Sequence, residues 1–278
     1  MAILNFTSKV WSETLLHALE KQYIAVANCY RNFEGDIEKS GSIVRLCGLN
    51  PVTISTYSPN NDITMPLPLN DYAMEIAISE AKYFNFQIDD VDRAQSLPSL
   101  MDEALRVAAD GLANDADKYV FSLYYLAKNK ITINDPTVEN IINSLIDIRQ
   151  KLYEKNVSNS SDVVIEVSPA IATLLIKAKL GLYTNNNDIL EAGCIGNICG
   201  CKVFVSNNIA TEEKSGYTYH KCYMRTKRAI AFVDKISKVV AYRPEMRFSD
   251  GIKGLHLYGG KIIYPDELMV LDFGIPNA

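Results

Sequence analysis

The chain lacks an apolar run long enough to span a bilayer, and its amino terminus lacks the basic start and apolar core of a secretory signal. Both absences predict residence in the cytosol and no membrane partner. Basic residues are not in excess either: 28 Lys and Arg stand against 33 Asp and Glu, a formal charge of −5. Affinity for a phosphate backbone comes mainly from clustered Lys and Arg, so this balance excludes a dedicated nucleic-acid binder and leaves only weak, non-specific contact with DNA. The six cysteines have no framework spacing, which fits reduced thiols better than a disulfide scaffold. No internal repeat, low-complexity tract or interdomain linker is present. Catalytic signatures are missing as well. Nothing unites His17, His220 or His256 with a nucleophile, and the glycines of GCIGNICGC match neither a phosphate loop nor a dinucleotide fingerprint.

What is present begins with a change of period. In EAKYFNFQIDD, Phe84, Phe86 and Ile88 alternate with Asn85 and Gln87, the pattern of a half-buried strand. Downstream, Met101, Ala104, Leu105, Ala108, Leu112, Ala116, Tyr119, Val120, Leu123 and Ala127 recur at steps of three and four along one helix stripe. With Pro98 in its first turn the helix would run from 98 to 127, roughly 45 Å. Residues 8–23 read as an amphipathic helix that, with the extended stretch to residue 40, closes no core locally. IVRLCG to VTISTY and then YAMEIAIS read as a long two-stranded hairpin with its tip near residues 58–64, marginal in water without a neighbour. A second helix is marked by Val138, Ile141, Ile142, Leu145, Ile148 and Leu152. A third follows Ser168 and Pro169. GCKVFVSNNI, YTYHKCYM, RAIAFV and KVVAYRP give separate short strands, and GLHLYGGKIIYP reads as a hairpin turning at Gly259 and Gly260.

Two clusters could hold a metal. Cys194, Cys199 and Cys201, with His220 and Cys222, supply enough soft ligands for tetrahedral zinc, but the spacing is not that of paired knuckles and buried thiols are the default. Asp89, Asp90 and Asp92 lack the register of a calcium loop, and acids before a helix act as cap and dipole partners. No catalytic, cofactor-binding or metal-binding residue is assigned.

The order of these elements resembles the major capsid proteins of tailed bacteriophages. The likeness is carried by AKYFNFQIDDVDRAQ, LMDEALRVAADGLANDAD, the long stretch RAIAFVDKISKVVAYRPEMRFSDGIKGLHLYGGKIIYPDELMVL and the arm VWSETLLHALEKQYIAVANCYRNFEGDI. It implies an α+β chain with the Hong Kong 97 phage capsid fold. The amino-terminal arm would be 1–40, the extended loop hairpin 41–78 and the peripheral domain with its spine helix 79–133. The axial domain would be 134–240, and 241–278 would return to the peripheral domain. The resemblance further implies a structural role and no enzyme activity. Hexamers and pentamers would form an icosahedral shell around double-stranded DNA, assembled in the host bacterial cytoplasm with a scaffolding protein and a portal as partners and residing finally in the virion capsid.

Trp11 and Leu15 on the arm and Tyr57, Ile63, Met65 and Leu67 on the loop are the expected contacts between subunits. Deleting residues 1–40 should then leave both domains folded. In the founding member of the fold a loop lysine forms an isopeptide bond with a neighbouring subunit. Here the only basic residue between Ser40 and Ala81 is Arg45, so the resemblance implies a shell held without covalent links. Two alternatives remain open at this point: an encapsulin-like nanocompartment shell with the same fold, and an α/β enzyme with no recognisable motif.

Overall fold

The computed structural model describes residues 15, 23–31, 43–49, 54, 56, 57, 59, 62, 65, 71–89, 100–157, 162–178, 194–198, 200–246 and 248–277. In chain order the elements are β1 (Ile43–Leu49), β2 (Asp71–Ala77), β3 (Glu80–Asp89), α1 (Leu100–Ser122), β4 (Asn129–Asn134), α2 (Ile141–Glu154), β5 (Val163–Val167) and α3 (Pro169–Lys177). Then follow β6 (Cys194–Ile198), β7 (Cys201–Val205), β8 (Thr211–Lys214), β9 (Tyr217–Thr226), β10 (Ile230–Tyr242), β11 (Ser249–Ile262) and β12 (Leu268–Pro276). The class is mixed α+β, as the element order implied.

Three sheets organise the strands among the described residues. β1 and β2 pair antiparallel, Ile43 opposite Ala77 and Leu49 opposite Asp71. β10, β11 and β3 form a three-stranded antiparallel sheet. The largest has the order β4-β12-β9-β5-β7-β6, with β8 pairing β9. β10 enters the sheet of β3 from Ile230 by pairing with β11, while β12 lies in the large sheet beside β4 and β9.

β3 alternates along its length as the period-two pattern requires. α1 is shorter than expected, 23 residues or about 34 Å. Its carboxy-terminal end tightens into a 3-10 turn over Leu123–Leu126. The last carbonyls of an α-helix have no partner inside it. Here the Tyr223 hydroxyl from β9 donates to the carbonyls of Val120 and Phe121 at 3.3 and 2.7 Å, and Ser122 Oγ donates to that of Tyr119 at 2.7 Å. Those partners fix the stop that periodicity alone carried on to Ala127.

The three-stranded sheet packs one face on the main core and is covered on the other around Ala231, Val233 and Leu257. Phe84, Phe86, Phe232, Ile252 and Tyr258 belong to the main core together with Leu105, Ala109, Leu112 and Ala116 of α1. On the other face Ala231, Val233 and Leu257 pack with Val44, Ile76 and Ile78, so the base of the hairpin rests on its own chain. A strand buried on both sides needs an unbroken apolar run, which is why RAIAFV does not alternate. RAIAFV and KVVAYRP are one strand with an irregularity between Ile236 and Lys238, not two.

The hairpin expected at Gly259 and Gly260 is also corrected. β11 runs straight through both, Gly259 opposite Val233 and Gly260 opposite Phe232. A Cβ on Gly259 would lie 2.3 Å from the carbonyl oxygen of Ala77, and one on Gly260 would lie 3.3 Å from the Tyr119 ring. The glycines admit the hairpin base on one face and the helix on the other. They do not mark a turn.

Candidate functional site

The densest buried polar constellation gathers around residues 23–31, a short segment with a 3-10 turn over Val26–Asn28. Three acidic side chains from three elements hold it. From α1, Asp117 accepts the backbone N–H groups of Ile24, Ala25 and Val26 at 3.0, 3.1 and 3.0 Å. Burial pushes its carboxyl up to about 6, against the opposing pull of those same bonds. From the large sheet, Glu166 on β5 receives a fork from Arg225 on β9 at 2.9 and 3.0 Å. The guanidinium also donates to the carbonyls of Asn28 at 2.6 Å and Ala25 at 2.9 Å, and the Asn28 amide donates to Glu166 at 3.3 Å.

The third anchor comes from the three-stranded sheet. Asp234 on β10 accepts from the Tyr23 hydroxyl at 2.7 Å and the Arg31 guanidinium at 3.2 Å, and lies 3.2 Å from Nε2 of His256 on β11. Burial alone would raise this carboxyl, but the bond to His256 and the charge of Arg31 outweigh it and hold it at about 2. Tyr30 closes the joint through its backbone, donating to the carbonyl of Ile230 and accepting from Phe232. Each carboxylate is thus engaged by fixed donors of the chain itself. Such an arrangement locks one segment to a helix and two sheets and offers no nucleophile or open ligand position.

Among the described residues no group of three or more His, Cys, Asp or Glu could hold a metal ion. Cys201 and Cys222 are buried and in no disulfide; they lie on β7 and β9, which β5 separates, about 10 Å at ordinary strand spacing. Burial pushes the Cys222 thiol up to about 12, the behaviour of a packed core residue. Cys199, Asp90, Asp92 and His17 lie outside the described residues. No helix among the described residues is long and apolar enough to cross a membrane.

Of the expected contact residues, Tyr57 and Met65 are 72% and 89% exposed. Leu15 is buried in the main core of its own chain. Trp11, Ile63 and Leu67 lie outside the described residues. Sequence reasoning missed the joint. Its signal was present as charges inside apolar runs: Asp117 within the helix stripe, Glu166 within VVIEV and Asp234 within RAIAFVDK. Also missed were Met246 and Phe248, two exposed apolar side chains between β10 and β11.

This fold is shared with solved phage capsid structures, among them those of cyanophage P-SCSP1u, bacteriophage PhiM1 and Ralstonia phage GP4. The chain is similar to a structure from Mycobacterium phage Che8, with 27% identity over 90% of this chain and 91% of that one and a TM-score of 0.68. The capsid of Ralstonia phage GP4 matches with 12% identity over 94% and 91% and a TM-score of 0.69. A virus-like particle from Pyrococcus furiosus matches with 12% identity over 95% and 99% and a TM-score of 0.55. No protein-family model and no curated protein matches the sequence.

Proposed function

We propose that this chain is the major shell protein of a tailed-bacteriophage head, assembling as hexamers and pentamers into an icosahedral capsid that encloses double-stranded DNA. The observation that carries the reading is the fold shared with phage capsids over some nine-tenths of both chains. In this reading 23–31 is the root of the amino-terminal arm and β1–β2 the base of the extended loop. α1 with β3, β10 and β11 makes the peripheral domain, and the large sheet with α2 and α3 the axial domain. The loop carries exposed Ile54, Tyr57 and Met65. On a neighbouring copy these would cover the groove lined by Tyr83, Asn85, Val240, Lys253 and Leu255. Burial of apolar area at about 25 cal/mol per Å², repeated at every subunit, would supply the cohesion.

Scaffolding and portal proteins are the expected partners. Contact with packaged DNA stays weak because the chain is acidic. The encapsulin-like reading is favoured by one observation, the likeness to the Pyrococcus furiosus particle. Nucleic acid inside particles from the source supports the phage reading, and an enclosed enzyme the other. The shell reading itself is tested with Tyr57→Asp and Met65→Asp together. Sedimentation should show folded subunits and no particles, whereas particles at wild-type yield would contradict the role given to the loop.

A further inference from the structure

Arg149 on α2 is 1% exposed, yet its Nε, Nη1 and Nη2 find no hydrogen-bond acceptor among the described residues. A guanidinium in a protein does not shed its proton. Burial therefore holds a full charge away from water without a counter-ion among the described residues, an arrangement that folded chains avoid. The compensation in view is the ring of Tyr153, 4.2 Å from the guanidinium carbon to the ring centroid. That ring is itself 49% exposed. The charge thus sits one side chain beneath the surface.

The neighbourhood of this charge has the character of an interface. Ile141, Leu145, Ile148 and Leu152 form the buried face of α2. Ile146, Arg149 and Tyr153 follow at steps of three and four, so they share a second stripe. Ile146 is 46% exposed, which puts a large, half-exposed apolar side chain on either side of the arginine. Arginine and aromatic residues set among apolar ones are what the centres of protein interfaces contain.

We propose that this stripe receives a second copy of the chain, which brings an acidic side chain to Arg149 as the Tyr153 ring moves aside. The inference rests on the shell reading and deepens it. The occupant follows from charge: with 33 acidic residues against 28 basic ones, another copy presents carboxylates in excess, and a carboxylate is the group that the planar guanidinium fork fits.

Arg149→Met keeps most of the side-chain length and removes the charge. In dissociated subunits it deletes an uncompensated buried charge, so the urea midpoint should rise. In assembled shells it deletes the pair, so particles should form at lower yield and dissociate at least about tenfold faster than wild type. Arg149→Lys keeps a charge but loses the fork and should fall between the two in shell lifetime. A lowered midpoint in dissociated Arg149→Met subunits would assign the counter-charge to the same chain. A raised midpoint with shells of wild-type lifetime would leave the arginine without any partner. Either result overturns the contact while the shell reading stands, and a wild-type chain that builds no particle overturns both.

Discussion

At the scale of single residues the fold turns on a few buried charges. Arg225 is the hub, since it binds Glu166 and the carbonyls of Ala25 and Asn28 at once. Arg225→Met would strand a buried carboxylate and two carbonyls, a loss of about 3–5 kcal/mol. Urea unfolding of dissociated subunits should show it, and a loss under about 1 kcal/mol would mean that the pair contributes little. Asp117 predicts a pH dependence of definite sign. Its folded-state value of about 6 lies above the ordinary value of 3.8, so between these values the folded chain holds a proton that the unfolded chain has lost. Stability from this group is therefore fully present below about pH 4 and is lost as pH rises through 6, by about 3 kcal/mol. Asp234 acts in the opposite sense, because its carboxyl is lowered from 3.8 to about 2; its contribution is present above pH 4 and lost as pH falls through 2. Asp117→Asn should flatten the rise between pH 6 and 4 and leave the fall below 4. An unchanged slope between pH 4 and 6 would remove Asp117 as the cause.

At the scale of elements, packing decides where local pattern does not. Gly111 lies inside α1 with nothing within 4 Å of an added Cβ, so Gly111→Ala should stabilise the subunit by about 0.5–1 kcal/mol. Gly259→Ala should cost about 1–3 kcal/mol, because its Cβ would meet the carbonyl of Ala77. Equal thermal midpoints for the two variants would contradict the account of β11. The same contrast separates what was legible from what was not. β3, the stripe of α1, the core face of α2 and the start of α3 after Ser168 follow a local period, and all were readable. The stop of α1 depends on Tyr223, about a hundred residues away, and the continuity of β11 depends on β2 and α1 crossing its glycines. Neither leaves a local trace. The amino-terminal segment makes the sharpest case. Read alone, it closes no core and looks dispensable to the subunit. In the structure Ala25 and Val26 are buried, and the backbone of 24–28 satisfies Asp117 and Arg225. Deleting residues 1–40 should therefore unfold the subunit, contrary to the sequence expectation, because Asp117 loses three backbone donors, Arg225 two carbonyls and Asp234 the Tyr23 and Arg31 donors together. Circular dichroism and urea titration of the truncated chain check this, and a cooperative transition at the wild-type midpoint would restore the sequence view.

At the scale of the whole molecule, the core, the joint and the hairpin base account for the stability of one subunit, while apolar Ile54, Tyr57, Met65, Met246 and Phe248 stay exposed on it. Cohesion of the proposed shell then comes from many repeated non-covalent contacts. With no lysine between Ser40 and Ala81 and a guanidinium unsuited to nucleophilic attack, particles boiled in detergent under reducing conditions should run as one subunit-sized band. A ladder of resistant higher species would show covalent links. The proposed shell requires that the chain build closed particles, and negative-stain electron microscopy of the purified chain, alone and with the proposed scaffolding partner, tests it most directly. Shells or tubes of repeating capsomers are the expected result, and a field of monomers at high concentration under both conditions would contradict it.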